Sequence, residues 1–161
     1  QIMMGIVAAA LLIAPIIILV MQGEINAEIT AEYGDAIGAF PLVTTLAAFA
    51  LALGMVALAF FFFGKLRAII ATVGEGDPFV PDNADRLNIM AWALLAVQAL
   101  SLALEGVGLM LTKWAEPMEN VDVTIDSGLN LTVIMMVVVL FILARVFRQG
   151  AAMRDDLEGT V

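Results

Sequence analysis

The chain has 161 residues, of which 63% are hydrophobic, carries a formal net charge of −9, and contains no cysteine and no histidine. Soluble domains hold about 45–50% apolar residues, so this excess, gathered into long runs, points to an integral membrane protein. The two missing residue types exclude disulfides, thiolate chemistry and imidazole-based catalysis or metal binding, and the negative charge argues against direct contact with nucleic acid.

The chain begins at Gln1, so a natural start further upstream is expected. Residues 2–21 carry no charge. At 1.5 Å per residue they reach about 30 Å, one hydrocarbon thickness. No A-x-A-like cleavage site follows, which marks a retained span. Pro15 should bend it by removing a backbone hydrogen bond. The small-residue pairs Gly5/Ala9, Ala10/Ala14 and Ala50/Gly54 would let spans one and two approach closely.

Residues 24–33 then alternate strictly. Glu24, Asn26, Glu28, Thr30 and Glu32 are polar, and the residues between them are apolar. Period two predicts a β-strand, pairing with the similar alternation at 121–126 in a small outer sheet. A helix would stack Glu24, Glu28 and Glu32 on one face. An irregular acidic loop is the other reading.

Residues 40–63 form the second apolar run, ending in four phenylalanines. Helical spacing of Leu66, Ile69, Ile70 and Val73 carries this helix beyond the run. The stretch GDPFVPDNADRL at 76–87 follows. Gly74 and Gly76 suit a helix end, and Asp77-Pro78 and Val80-Pro81 hold the chain extended. Asp82 is expected as the N-cap of the next helix, with Asp85 three positions on as the second half of a capping box, and Arg86 leads into the third span. Phe79, between two prolines, either tucks against the helices or is offered to a partner.

The third run, 89–111, is interrupted by Gln98, Ser101 and Glu105. An ionisable residue in a span is costly and invites a functional reading. Glu105 fits a structural polar network with Gln98 and Ser101, drawing on Thr44, Thr45, Asn130 or Thr132. A proton- or cation-coupled role and a lipid or ligand contact remain alternatives. The fourth run covers 129–146, and a tail follows at 147–161. Val146, Gly150, Met153 and Leu157 form a stripe on that tail, docking on the 64–88 connection or facing a partner helix. The bland account adds attraction of Arg145 and Arg148 to lipid headgroups.

Lys65, Arg67, Arg86, Arg145, Arg148 and Arg154 lie on one side of this four-span plan and Lys113 on the other. The positive-inside rule then places both termini and the 64–88 connection in the cytoplasm. Trp92 and Trp114, near opposite ends of span three, fit an aromatic belt.

The segment GDPFVPDNADRL with the span after it, and the tail LARVFRQGAAMRDDLEGTV, resemble the bacterial membrane family called domain of unknown function 2975 (DUF2975). The resemblance covers spans two to four and the tail. It implies a four-helix inner-membrane protein, encoded near a small helix-turn-helix regulator that such a protein would hold or modulate. The family offers no catalytic residues to carry over.

The chain is thus expected to be a single all-α membrane domain, a four-helix bundle with a possible small outer sheet. It has no catalytic constellation and no expected cofactor or metal. Its expected partners are the bilayer and a protein, either the regulator or a larger membrane complex in which the chain would be an accessory subunit. Phe79 and Leu157 would anchor the partner and Arg148 and Arg154 would steer it. A small transporter or channel using Glu105 is the third reading.

Overall fold

The computed structural model describes residues 2–34, 37–118 and 128–158, apart from the side chains at 2, 157 and 158. Four helices follow in order: α1 (Ile2–Tyr33), α2 (Leu42–Gly74), α3 (Pro81–Ala115) and α4 (Leu131–Glu158). All four are long and apolar enough to cross a membrane, which makes the chain a multi-pass membrane protein by length and composition. Each outlasts its apolar run at one end or both.

The expected outer sheet is not formed. Residues 24–33 continue α1 as helix, and 121–126 lie outside the described residues. The like-charge argument against the helix was too weak. Glutamates four apart cost only about 0.2–0.5 kcal/mol per pair. A helix already running through the span extends without a new nucleus, and alanine and glutamate are good formers. α1 also continues through Pro15.

The described chain divides into two compact units. Unit 1 comprises Gln1–Val56 and Leu100–Gly128. Gly34 closes α1 with φ 60°. Asn26 Oδ1 accepts the amide of Phe40 at 2.8 Å, fastening the chain beyond α1 back to the helix. The ring of Phe40 meets Trp114 edge-on at 5.7 Å, and Trp114 Nε1 donates to the Gly38 carbonyl at 3.1 Å. The two glycines of the small-residue pairs differ in their surroundings. A β-carbon at Gly54 would meet Leu100 of α3 at 3.4 Å, whereas one at Gly5 would meet nothing within 4 Å.

Unit 2 comprises Ala57–Ala99 and Leu129–Val161. Its core joins Ile69, Leu87, Met90 and Ala144, with Phe62, Leu66, Leu140 and Phe147 packed against them. These side chains gather near the ends of the apolar runs. That placement is physical: inside lipid, burying an apolar side chain gains almost nothing, while at the water boundary it does. On α4 the inward stripe is Val137, Leu140, Ala144, Phe147 and Ala151. Of the stripe read from the sequence, Val146 and Met153 are exposed, while Gly150 meets the Phe79 ring and so takes part in the expected docking on the 64–88 connection. That stripe was set by the more hydrophobic residues, but small alanines are what let α4 come close. Asn130 caps α4, its Oδ1 accepting the amides of Thr132 at 3.0 Å and Val133 at 3.3 Å.

Candidate functional site

Six of the seven basic residues fall within unit 2, which makes its charged end the chemically richest part of the molecule. Two helix termini meet there. α2 ends in a Schellman motif: the amide of Asp77 donates to the Thr72 carbonyl and that of Gly76 to Val73, both at 3.1 Å. Gly76 has φ 87°, a conformation glycine takes without strain. α3 starts at Pro81, one residue before the expected N-cap at Asp82. Proline suits the first helical position because its missing N–H would lack a partner there anyway.

Asn83 organises the turn. It is 0% exposed. Its Nδ2 donates to Thr72 Oγ1 at 2.7 Å and to the Pro78 carbonyl at 2.9 Å, and its Oδ1 accepts Arg86 Nη1 at 2.8 Å. One amide therefore ties the end of α2, the turn and the start of α3 together. Thr72 Oγ1 donates in turn to the Ile69 carbonyl at 2.8 Å. The expected capping box does not form. Asp82 instead pairs with Arg86 at 3.4 Å, and Asp85 with Arg148 Nη2 at 2.8 Å. The reason is reach: both carboxylates lie inside the helix and project toward cations. Arg154 Nη1 bonds Asp77 Oδ1, a second link from α4 to the turn.

Phe79 completes the attachment. Its ring packs on Phe147, centroid to centroid at 5.5 Å, and sits over Gly150. It remains 42% exposed, so it is both docked and visible from outside. Of the residues expected to meet a partner, Arg148 and Arg154 are engaged within the chain, and Leu157 lies on α4 with its side chain outside the described residues.

A family model, described as protein of unknown function (DUF2975), matches residues 31–161. The chain belongs to the DUF2975 family. No curated protein matches it. No solved structure matches it either.

In this DUF2975 member the matched region begins at the end of α1 and contains the whole charged end of unit 2. The intramembrane polar residues are arranged differently from the expected network. Glu105 Oε2 accepts the amide of Gly128 at 3.0 Å, pinning the chain as it returns toward α4. Thr45 donates to the Pro41 carbonyl at 3.1 Å, and Asn130 is occupied as the α4 cap. Among the described residues no hydrogen bond joins Gln98, Ser101 and Glu105. Gln98 is 5% exposed and Ser101 half-buried.

Sequence reasoning missed Asn83, and it placed Gly150 in a docking stripe without naming Phe79 as its contact. Asparagine with acids at 82 and 85 reads as solvated turn chemistry. Its burial follows from where α2 ends, which no local pattern states. An isolated glycine inside the helical pattern of α4 was the available signal, because a glycine there often has a packing reason.

Proposed function

We propose that the chain is an interaction protein of the bacterial inner membrane, with both termini and the 75–80 turn in the cytoplasm, that receives a protein partner at the charged end of unit 2. The observation that carries this reading is a set of exposed apolar side chains standing past the ends of the apolar runs. Ile70 and Val73 on α2, Phe79 in the turn and Met153 on α4 all lie open beside an ion-paired, tightly bonded frame. Lipid does not account for apolar groups that far along their helices. Ile70 is seven residues past the run ending at 63, about 10 Å of helix rise. A few such residues commonly dominate an interface. The basic asymmetry supports the orientation.

The family resemblance supplies the partner class, a small helix-turn-helix regulator held away from DNA. Because Arg148 and Arg154 are committed to Asp85 and Asp77, the apolar residues carry the recognition in this reading. Ile70→Glu with Val73→Glu should release the partner and change transcription of the protein's own operon, with folding intact by circular dichroism. Unchanged transcription and an unchanged set of copurifying proteins would defeat the regulatory reading. The accessory-subunit role would then gain, favoured by Gly5 on α1, which has no neighbour within 4 Å of a β-carbon built there.

A further inference from the structure

We propose that a hollow beside α3 and α4, at the end of the fourth apolar run, binds the phosphate headgroup of an anionic phospholipid. Its volume is about 350 Å³, and it is lined by Asn88, Phe141, Ala144, Arg145, Arg148 and Gln149. That size lies at the lower end of small-ligand sites, about 300–1,000 Å³. The five α4 residues are spaced i, i+3, i+4, i+7 and i+8, so they share one helix face. Along that face the chemistry changes within two turns. Phe141 and Ala144 are apolar, and Arg145, Arg148 and Gln149 follow on the side away from the span. A phospholipid has the same gradient, from acyl and glycerol carbons to phosphate.

The cations are suited to this use. Among the described residues no acid pairs with Arg145. Arg148 is held by Asp85 at 2.8 Å, which fixes its direction and leaves further guanidinium donors open. Asp85 offsets part of the Arg148 charge, so Arg145 carries most of the attraction. Asn88 and Gln149 add neutral amide donors. A chain of net charge −9 has no long-range pull on an anion, so retention must be local to this hollow.

Two independent features place the hollow at headgroup depth. Trp92 stacks edge-on against Phe141 at 5.7 Å and is otherwise exposed, as a tryptophan at a membrane–water interface is. A second hollow, lined by Phe60, Phe61, Gly64, Lys65, Ala68 and Arg86, repeats the apolar-to-basic order at the end of the second run. There Lys65 Nζ lies 5.2 Å from the Phe61 ring centroid. A free phosphate would use the arginines but gain nothing from Phe141 and Ala144, so the lining favours the lipid.

The test uses the full chain in neutral detergent, with native mass spectrometry reading bound lipid against phosphatidylglycerol, phosphatidylcholine and inorganic phosphate. Phosphatidylglycerol should be retained over phosphatidylcholine. Arg145→Gln should lower its apparent affinity about fivefold, the effect of one basic residue at a membrane surface. Arg145→Lys should keep most of it, and Lys113→Gln should change nothing. Equal retention of the two lipids, or an unchanged preference in Arg145→Gln with folding intact by circular dichroism, overturns the proposal. Displacement of the lipid by inorganic phosphate at millimolar concentration also overturns it, because the site would then be one for free phosphate.

Discussion

The ring of Phe79 lies over Gly150 so closely that a β-carbon at Gly150 would stand 2.6 Å from its Cδ1. The turn between α2 and α3 thus docks on α4 through a position that tolerates only hydrogen. Gly150→Ala should push the ring outward and speed hydrogen exchange at residues 76–80. In a Phe79→Ala background the same change should stabilise by up to about 1 kcal/mol, because alanine is the better helix former. If Gly150→Ala helps equally in both backgrounds, the contact does not hold the turn.

Asn83 makes three side-chain hydrogen bonds at a site closed to water. Asn83→Ala should cost about 2–4 kcal/mol, from lost bonds of about 0.5–1.5 kcal/mol each and the unpaired groups left behind. Reversible unfolding in mixed micelles checks this. A loss below about 0.5 kcal/mol would mean that water replaces the amide and that the turn is less closed than described.

The Asp77–Arg154 and Asp85–Arg148 pairs differ in exposure. Asp77 and Arg154 side chains are 36% and 46% exposed, against 69% and 66% for Asp85 and Arg148. Pairs at the surface contribute about 0–1 kcal/mol, with screening reducing the more open one. A double-mutant cycle should give the larger coupling for Asp77–Arg154, and raising salt should erase the Asp85–Arg148 coupling first. The opposite order would show that exposure does not govern these pairs.

Glu105 accepts one backbone amide, and a glutamine oxygen can do the same. Glu105→Gln should leave folding and complementation nearly unchanged, whereas Glu105→Leu should cost up to about 1 kcal/mol, as membrane hydrogen bonds do. Loss of complementation in a folded Glu105→Gln protein would assign the negative charge a function of its own and revive a transport role.

The proposed orientation is open to labelling, since the chain has no cysteine of its own. Asp82→Cys should resist a membrane-impermeant thiol reagent in intact cells, and Glu116→Cys should react. The reverse pattern would invert the topology.

The four apolar runs and the α2 ending were legible because span length and glycine at a helix end are local facts. Gly76 takes the positive φ that its place after Val73 predicts. The contents of the charged end were not legible, because they depend on tertiary distance. Asp85 looked like a capping residue until α4 brought Arg148 within 2.8 Å. Met153 outranked Ala151 by hydrophobicity, yet Ala151 is the one buried, because helix approach favours the smaller group. Residues 24–33 misled for a different reason. Alternation and a four-residue glutamate spacing coexist there, and continuity with α1 decides between them.

The core of unit 2 draws on three stretches of chain, and α4 is synthesised after the other two. Until α4 arrives, Ile69, Leu87 and Met90 have no lid, and Asp77 and Asp85 have no counter-ions. A chain stalled after its third helix would therefore show greasy and acidic groups together at the membrane surface. Synthesis of α4 supplies the apolar cover and the counter-ions together, so the state of this end reports whether the fourth helix is in place.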